Sequence, residues 1–365
     1  MIPRQHGLLG PMLLACLCAA AGAAHAQTTV ANALSRANRL PPIPARLLVQ
    51  APDAESELLV EVTLLGREGD ALLAQGRTAG TPFSRIEKSR VRRCEFTLEY
   101  DLSAVAQALQ KSDWGAAVRI LSPVVRLALP YLDLPENNGL EPAMDLGMYM
   151  VASADREKRG AAPNADRARA LKQYAAACEV FRQAARAQWS PLASLAALKR
   201  CRALLAQGLA DKASEALEEV GEPDPGDLAY GHYWLARAEG LRHAGKTREA
   251  LEAVVKSVVF ADQDVETFPS ALLLSAHCYR DLKNAHRARD LYYEVAVLFV
   301  GTDWADEALE GLRAVMAGNQ TLQPEKTPLE NVFFNVADDM NELAAELIEA
   351  RAPTPTNAVP ETKKE

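Results

Sequence analysis

The sequence predicts a mainly α-helical chain in which stacked helical hairpins form an α-solenoid, preceded by a small antiparallel β module and closed by an amphipathic capping helix. Three observations carry this. Apolar and polar residues alternate clearly in two stretches, residues 58–65 and 93–100. From Leu102 onward Ala, Leu, Glu, Arg and Lys dominate, the apolar spacing becomes helical, and Gly and Pro stand mainly between segments. Finally, Ala177, Ala213, Ala250 and Ala288 recur at intervals of 36, 37 and 38 residues. Such spacing marks helix pairs that bury their faces only by stacking on copies of themselves.

At the chain start, Arg4 precedes a Leu- and Ala-rich run over residues 8–24, followed by Ala24-His25-Ala26. A basic start, an apolar middle and small residues before the cut predict a secretory signal peptide, residues 1–26, cleaved before Gln27. Pro11 and Gly22 interrupt the run, which is shorter than the roughly 20 residues a bilayer needs, so removal is expected rather than anchoring. Lipidation at Cys16, after Leu13-Leu14-Ala15, is the alternative processing. Arg4 is the only charged residue removed, so the formal balance moves from −8 to −9, which disfavours nucleic acid as a partner. No later stretch reaches about 18 apolar residues without charge, and no membrane span is expected in the mature chain. The exported location expected from this reading is the periplasm.

Residues 27–56 carry Pro41-Pro42 and Pro44 without a sustained apolar period and read as a flexible arm. Residues 57–100 read as the β module, with Leu58, Val60, Val62 and Leu64 on one face of a strand, a turn at residues 66–70, a second strand at residues 71–76, and a further strand through Cys94, Phe96, Leu98 and Tyr100. Arg85, Lys88, Arg90, Arg92 and Arg93 form a basic edge. Glu87, Glu95 and Glu99 dilute it, so protection against edge-to-edge pairing is favoured over polyanion binding. The β pattern is similar to that of Sm proteins, but export argues against an RNA role. Four cysteines remain after processing, Cys94, Cys178, Cys201 and Cys278, spaced like small core residues; a Cys178–Cys201 disulfide is permitted but not required.

Residues 101–317 hold the repeats. In residues 245–250 a glycine ends one helix and Ala250 admits close approach of the next, with Trp234 sixteen residues before it. Gly208, Ala213, Leu217 and Pro225 occupy matching places one unit earlier, and Tyr279, Ala288 and Tyr292 do so one unit later. A weaker unit runs through Trp114, Ala117, Leu121 and Val124, and another is stretched by the polar residues 155–166. This pattern resembles the tetratricopeptide repeat (TPR) family. Residues 292–312, with the turn Gly301-Thr302-Asp303, are similar in style to repeats of periplasmic envelope factors such as the Tol–Pal coordinator and the outer-membrane assembly lipoprotein. The resemblance implies a non-catalytic scaffold that binds a protein or peptide of the cell envelope in a groove lined by the first helix of each pair. It places His232, Leu235, Glu239 and His243 on that wall, then Leu273 and His277, with Arg202 and Arg280 nearby. It assigns Trp234, Ala213, Ala250, Tyr279 and Ala288 to packing between helices. The family's carboxylate clamp needs Lys and Asn where this chain has Leu235 and Glu239, so that ligand mode is not implied.

Beyond Pro328, Leu329, Phe333, Val336, Met340, Leu343 and Leu347 recur at helical spacing. Residues 328–350 are therefore read as the capping helix, with self-association through residues 329–347 as the alternative, and residues 351–365 as a disordered tail. No H-E-x-x-H, G-x-S-x-G, phosphate-cradling glycine loop or dinucleotide fingerprint occurs, so no catalytic residue, metal or cofactor is assigned. His232, His243, His277 and His286 lack the spacing that sets two imidazoles on one zinc.

Overall fold

The computed structural model describes residues 38–51, 56–77, 83–160, 165–261 and 264–318. The signal peptide, the proposed capping helix and the C-terminal tail lie outside the described residues. Five strands open the fold: β1 (Asn38–Gln50), β2 (Glu57–Glu68), β3 (Ala71–Gly76), β4 (Phe83–Glu87) and β5 (Val91–Phe96). They form one antiparallel sheet in the order β4-β3-β2-β1-β5.

The sheet corrects the reading of residues 38–50 as part of an arm, because they form β1, an interior strand between β2 and β5. Its apolar face, Ile43, Ala45, Leu47 and Val49, is almost fully buried, and it alternates with Pro44, Arg46, Leu48 and Gln50. The prolines masked that period. They are tolerated because the register shifts between Arg39 and Ile43, leaving Pro41 and Pro42 outside the paired positions. A second correction concerns the strand expected to reach Tyr100: β5 ends at Phe96, and Leu98 and Tyr100 pack on the core from irregular chain. The basic edge also proves discontinuous, since Arg85 lies in β4, Lys88 and Arg90 in a 3-10 turn, and Arg92 and Arg93 in β5. Four of the five have partners: Arg85 pairs with Glu87 at 2.9 Å, Lys88 with Asp133 at 2.7 Å, and Arg90 and Arg92 donate to Gln50.

Eleven helices follow among the described residues: α1 (Leu102–Gln110), α2 (Trp114–Ala128), α3 (Leu140–Gly160), α4 (Ala165–Ala184), α5 (Leu192–Ala206), α6 (Ala210–Val220), α7 (Ala229–His243), α8 (Thr247–Phe260), α9 (Thr267–Asp281), α10 (Ala285–Leu298) and α11 (Asp303–Gly318). They fall into two compact units. The described residues up to Pro223, with Asp227–Ala229, make the first; Asp224–Gly226 and the described residues from Tyr230 make the second.

The hairpins share one turn. Ser112, Gly208, Gly245 and Lys283 all have positive φ, between 50° and 80°, and each stands two residues before the next helix. In each case the following N–H reaches back to a carbonyl five residues earlier: Asp113 to Ala108, Leu209 to Leu204, Lys246 to Leu241 and Asn284 to Tyr279, at 2.8 to 3.0 Å. This is the left-handed helix ending that satisfies the last carbonyls and reverses the chain. Five residues beyond each left-handed residue comes an alanine, Ala117, Ala213, Ala250 or Ala288, no more than 3 % exposed. Ala177 is buried likewise in α4.

In the first unit, β5 is sealed by the chain between α2 and α3. Cys94 N–H donates to the Pro135 carbonyl at 3.1 Å, while Asn138 accepts from Phe96 N–H at 2.8 Å and donates to the Phe96 carbonyl at 3.0 Å. Sheet and helices thereby close around one core containing Leu47, Phe96, Tyr131 and Phe181. Beside it lies Asp133, whose Oδ2 accepts from both terminal nitrogens of Arg67 at 3.1 Å and from Lys88 Nζ at 2.7 Å. Burial would raise this carboxyl's pKa, but the Lys88 and Arg67 hydrogen bonds outweigh it and hold the group below its ordinary value. A carboxyl so depressed contributes stability above its unfolded pKa and loses it as pH falls through the folded one. Asp133→Asn should therefore cost about 3 kcal/mol at neutral pH. In urea titrations the gap to the parent should close below about pH 4; a gap that persists there would show that the charge is not what Asp133 contributes.

Candidate functional site

In the second unit, α7, α9 and α11 each stand first in a hairpin or at its opening, and polar side chains link them. Arg242 Nε on α7 donates to Asp281 Oδ2 on α9 at 2.7 Å. His277 on α9 lies 3.1 Å from Glu307 on α11. Because a carboxylate only accepts, His277 Nε2 carries the hydrogen towards Glu307, and its Nδ1 accepts from the Tyr292 hydroxyl at 2.6 Å. Burial pushes the Tyr292 phenol up to about 12, with Arg280 and Arg242 opposing, so it remains a neutral donor. Arg280 adds a cation 6.0 Å from the Tyr292 ring centre. The ring is fixed from the other side by Gly311, where a Cβ would stand only 2.4 Å from a Tyr292 carbon. The result is a polar ladder with Arg242, Asp281 and Glu307 partly exposed along it.

The residues placed on the groove wall divide into two groups. Glu239, His243, His277 and Arg280 keep exposed or half-buried side chains on α7 and α9. Leu235 and Leu273 do not; they are 0 % and 5 % exposed and belong to the interior, which corrects their assignment to the wall. Leu235, Glu239 and His243 share one face of α7, and burial along it falls from the enclosed Leu235 to the exposed His243 at the C-terminal end. His232 is likewise corrected, being 4 % exposed. Its Nε2 donates to Asp264 Oδ2 at 3.2 Å, and its Nδ1 accepts from the Thr267 hydroxyl at 2.9 Å. Arg202 belongs to the first unit, on α5, where it is half-buried and already engaged.

His232, Asp264 and Thr267 together have the connectivity of a nucleophile, base and orienting acid. Their burial argues for a different role. Thr267 is 0 % exposed, so no substrate reaches its hydroxyl. Asp264 Oδ1 accepts the backbone N–H of Glu266 at 3.0 Å and of Thr267 at 2.5 Å, closing the start of α9. Although burial raises the Asp264 pKa, the His232 and backbone donors hold it far below the ordinary carboxylate range. The group is a buried clasp between α7 and α9.

Of the residues assigned to packing, Ala213, Ala250 and Ala288 are buried, Tyr279 is half-buried against the α9–α11 core, and Trp234 is 5 % exposed. Trp234 stands between two cations, with Lys256 Nζ 3.5 Å and the Arg237 guanidinium 5.0 Å from its ring centre. Arg242, Asp281 and Glu307 were missed by the sequence reading. Helical spacing could have found the first two, which fall three residues after Glu239 and four after His277. Among the described residues no cluster of three His, Cys, Asp or Glu is arranged to hold a metal ion, and no helix is long and apolar enough to cross a membrane. The four described cysteines are free; burial raises their thiols, Cys201 to about 12 and Cys278 to about 11.

Repeated hairpins with one left-handed turn and one buried alanine at fixed distance define a TPR-like repeat protein, here with a five-stranded sheet at its N-terminal side. No family model matches the chain, and no curated protein matches it. Among solved structures, it is similar to a Podosopora anserina protein described as a kinesin light chain with nearly identical TPR-like repeats, at 18% identity over 60% of this chain and 93% of that one, TM-score 0.35. It is also similar to BtubC (BKLC) from P. vanneervenii, at 14% identity over 72% of this chain and 98% of that one, TM-score 0.39.

The buried clasp and the exposed end of α7 respond differently to mutation. His232→Ala takes a partner from the buried Thr267 hydroxyl and from the partly exposed Asp264 carboxylate and should lower stability by about 1–3 kcal/mol. His243→Ala, at an exposed position, should change it by less than about 0.5 kcal/mol. Equal urea midpoints for the two variants would refute the clasp.

Proposed function

We propose that the chain is an exported, non-catalytic scaffold of the bacterial cell envelope, which binds a protein or peptide partner along the polar face of α7, α9 and α11. The ladder is the observation that carries this. Charges of both signs are held in fixed order by Arg242–Asp281 and His277–Glu307, yet Asp281 and Glu307 remain 33% and 46% exposed at the side chain. Fixed, partly hydrated charges favour one orientation of an opposing charged segment and add little to fold stability, as suits a recognition surface. TPR-like repeats support protein as the class of partner. Export is supported by the sequence features around Arg4 and Ala24-His25-Ala26.

The test is crosslinked capture from the native envelope with the parent and with Glu239→Ala/His243→Ala/Arg280→Ala, which spares the His277–Tyr292 contact. A partner recovered by the parent and depleted about tenfold with the folded variant is the expected result. Recovery of the chain alone, equally by both, would replace the scaffold with a self-associating subunit. N-terminal sequencing of the exported protein should begin at Gln27; cytoplasmic retention of the full chain would overturn the proposed location.

A further inference from the structure

The loops that join α8 to α9 and α10 to α11 leave large apolar side chains in solvent. Val259, Phe260 and Val265 flank the first loop, Leu298 and Val300 the second, and all five are between 51 and 86 % exposed. Single exposed apolar residues are ordinary, but these come together. Both loops lie on one edge of the second unit. Phe268 at the start of α9 packs on Phe299 with ring centres 6.3 Å apart, and Trp304 at the start of α11 donates to Ser270 Oγ on α9 at 3.1 Å. Val258, next to Val259, closes on the same core as Phe268, Phe299 and Trp304. In the first unit the side chains of comparable exposure, Leu59, Leu102 and Leu228, come singly from β2, α1 and the chain before α7.

Carboxylates rim this edge. Asp264 and Glu266 stand in the first loop, and Asp303 and Asp306 open α11. Residues 257–279 and 290–312 contain no Lys or Arg. Lys256, the cation just before the first of these stretches, is turned onto the Trp234 ring, with its Nζ 3.5 Å from the ring centre. Asp264 is kept ionised by His232 and by the backbone N–H groups of Glu266 and Thr267. An apolar surface within an acidic rim selects its occupant by charge. Two copies meeting edge to edge would set carboxylates against carboxylates. The chain's own amphipathic segment, residues 329–347, carries five carboxylates and no Lys or Arg, and an anionic bilayer is repelled in the same way.

We propose that this edge docks a basic amphipathic segment of another protein. The apolar face of that segment covers Val259, Phe260, Val265, Leu298 and Val300, and its Lys or Arg side chains meet the rim. The surface uses none of the side chains of the polar ladder, so its failure would leave the scaffold reading standing. The test is fluorescence anisotropy of the purified protein with two labelled synthetic peptides that share a helical leucine stripe, one with Lys and one with Glu on the polar face. Saturable binding of the Lys peptide is expected, at least about tenfold tighter than that of the Glu peptide. It should weaken at least about tenfold in Val259→Ser/Val300→Ser and in Glu266→Gln/Asp306→Asn, each with unchanged helical circular dichroism. Glu218→Gln/Glu219→Gln, which removes the same charge from exposed positions on α6 in the first unit, should bind as the parent does. Absence of saturable binding, equal affinity for the two peptides, or an equal loss in the α6 variant would overturn the proposal. So would a dimer of the parent in sedimentation that Val259→Ser/Val300→Ser dissociates, which would assign the edge to a second copy.

Discussion

The spacing between paired helices is the constraint on which the rest of the structure depends. A left-handed residue reverses the chain at Ser112, Gly208, Gly245 and Lys283, and five residues later the second helix crosses close against the first. Only a small side chain fits at that crossing, since interaxial distance follows the side chains at the contact. The buried alanines meet that demand. Two of the turns use non-glycine residues in the left-handed region, which costs about 1–2 kcal/mol each, and the hydrogen bonds of Asp113 and Asn284 back to the preceding helix offset part of it.

The same close approach recurs where glycine replaces alanine. Gly147 lies under the Phe181 ring and Gly311 under Tyr292, so that a Cβ would fall 2.5 and 2.4 Å from a ring carbon. These contacts set the aromatic rings, and through Tyr292 they set His277 and the ladder. The interior therefore fixes the polar surface: Gly311 determines where the Tyr292 hydroxyl lies, and that hydroxyl determines which His277 nitrogen faces Glu307. In the first unit Asp133 has the corresponding role, since one carboxylate holds cations from β2 and from the turn before β5 against the chain that follows α2.

How much of this was legible in the sequence depends on whether the information is local. The turns at Gly208 and Gly245 were legible, because a glycine and an alanine at fixed separation are visible in a single segment; those at Ser112 and Lys283 lack the glycine. β2 was legible for the same reason. β1 was not, because its period of two is interrupted by prolines whose accommodation depends on a register shift against β2, a property of the paired strand. The groove was half legible. Repeat register assigns Glu239, His243, Arg280, His232, Leu235 and Leu273 to one wall or its vicinity; the first three keep accessible side chains and the last three are enclosed, since enclosure depends on the neighbouring helix. Arg242–Asp281 and His277–Glu307 join residues 39 and 30 apart in sequence, and no spacing rule within one helix links them.

Burial also decides what histidine can do in this chain. At His232 both ring nitrogens are engaged by groups whose own exposure is low, and the aspartate behind it is occupied by backbone N–H groups, so the arrangement fixes a helix start. At His277 one nitrogen meets a buried phenol and the other a carboxylate that is 46% exposed. Only the second histidine couples the interior to a face that another molecule can touch. The His277 ring joins Glu307 to Tyr292, and the Tyr292 ring packs on Gly311 in the same helix as Glu307. The polar ladder is thus held by the packing beneath it, which keeps a surface of charged side chains in a definite arrangement.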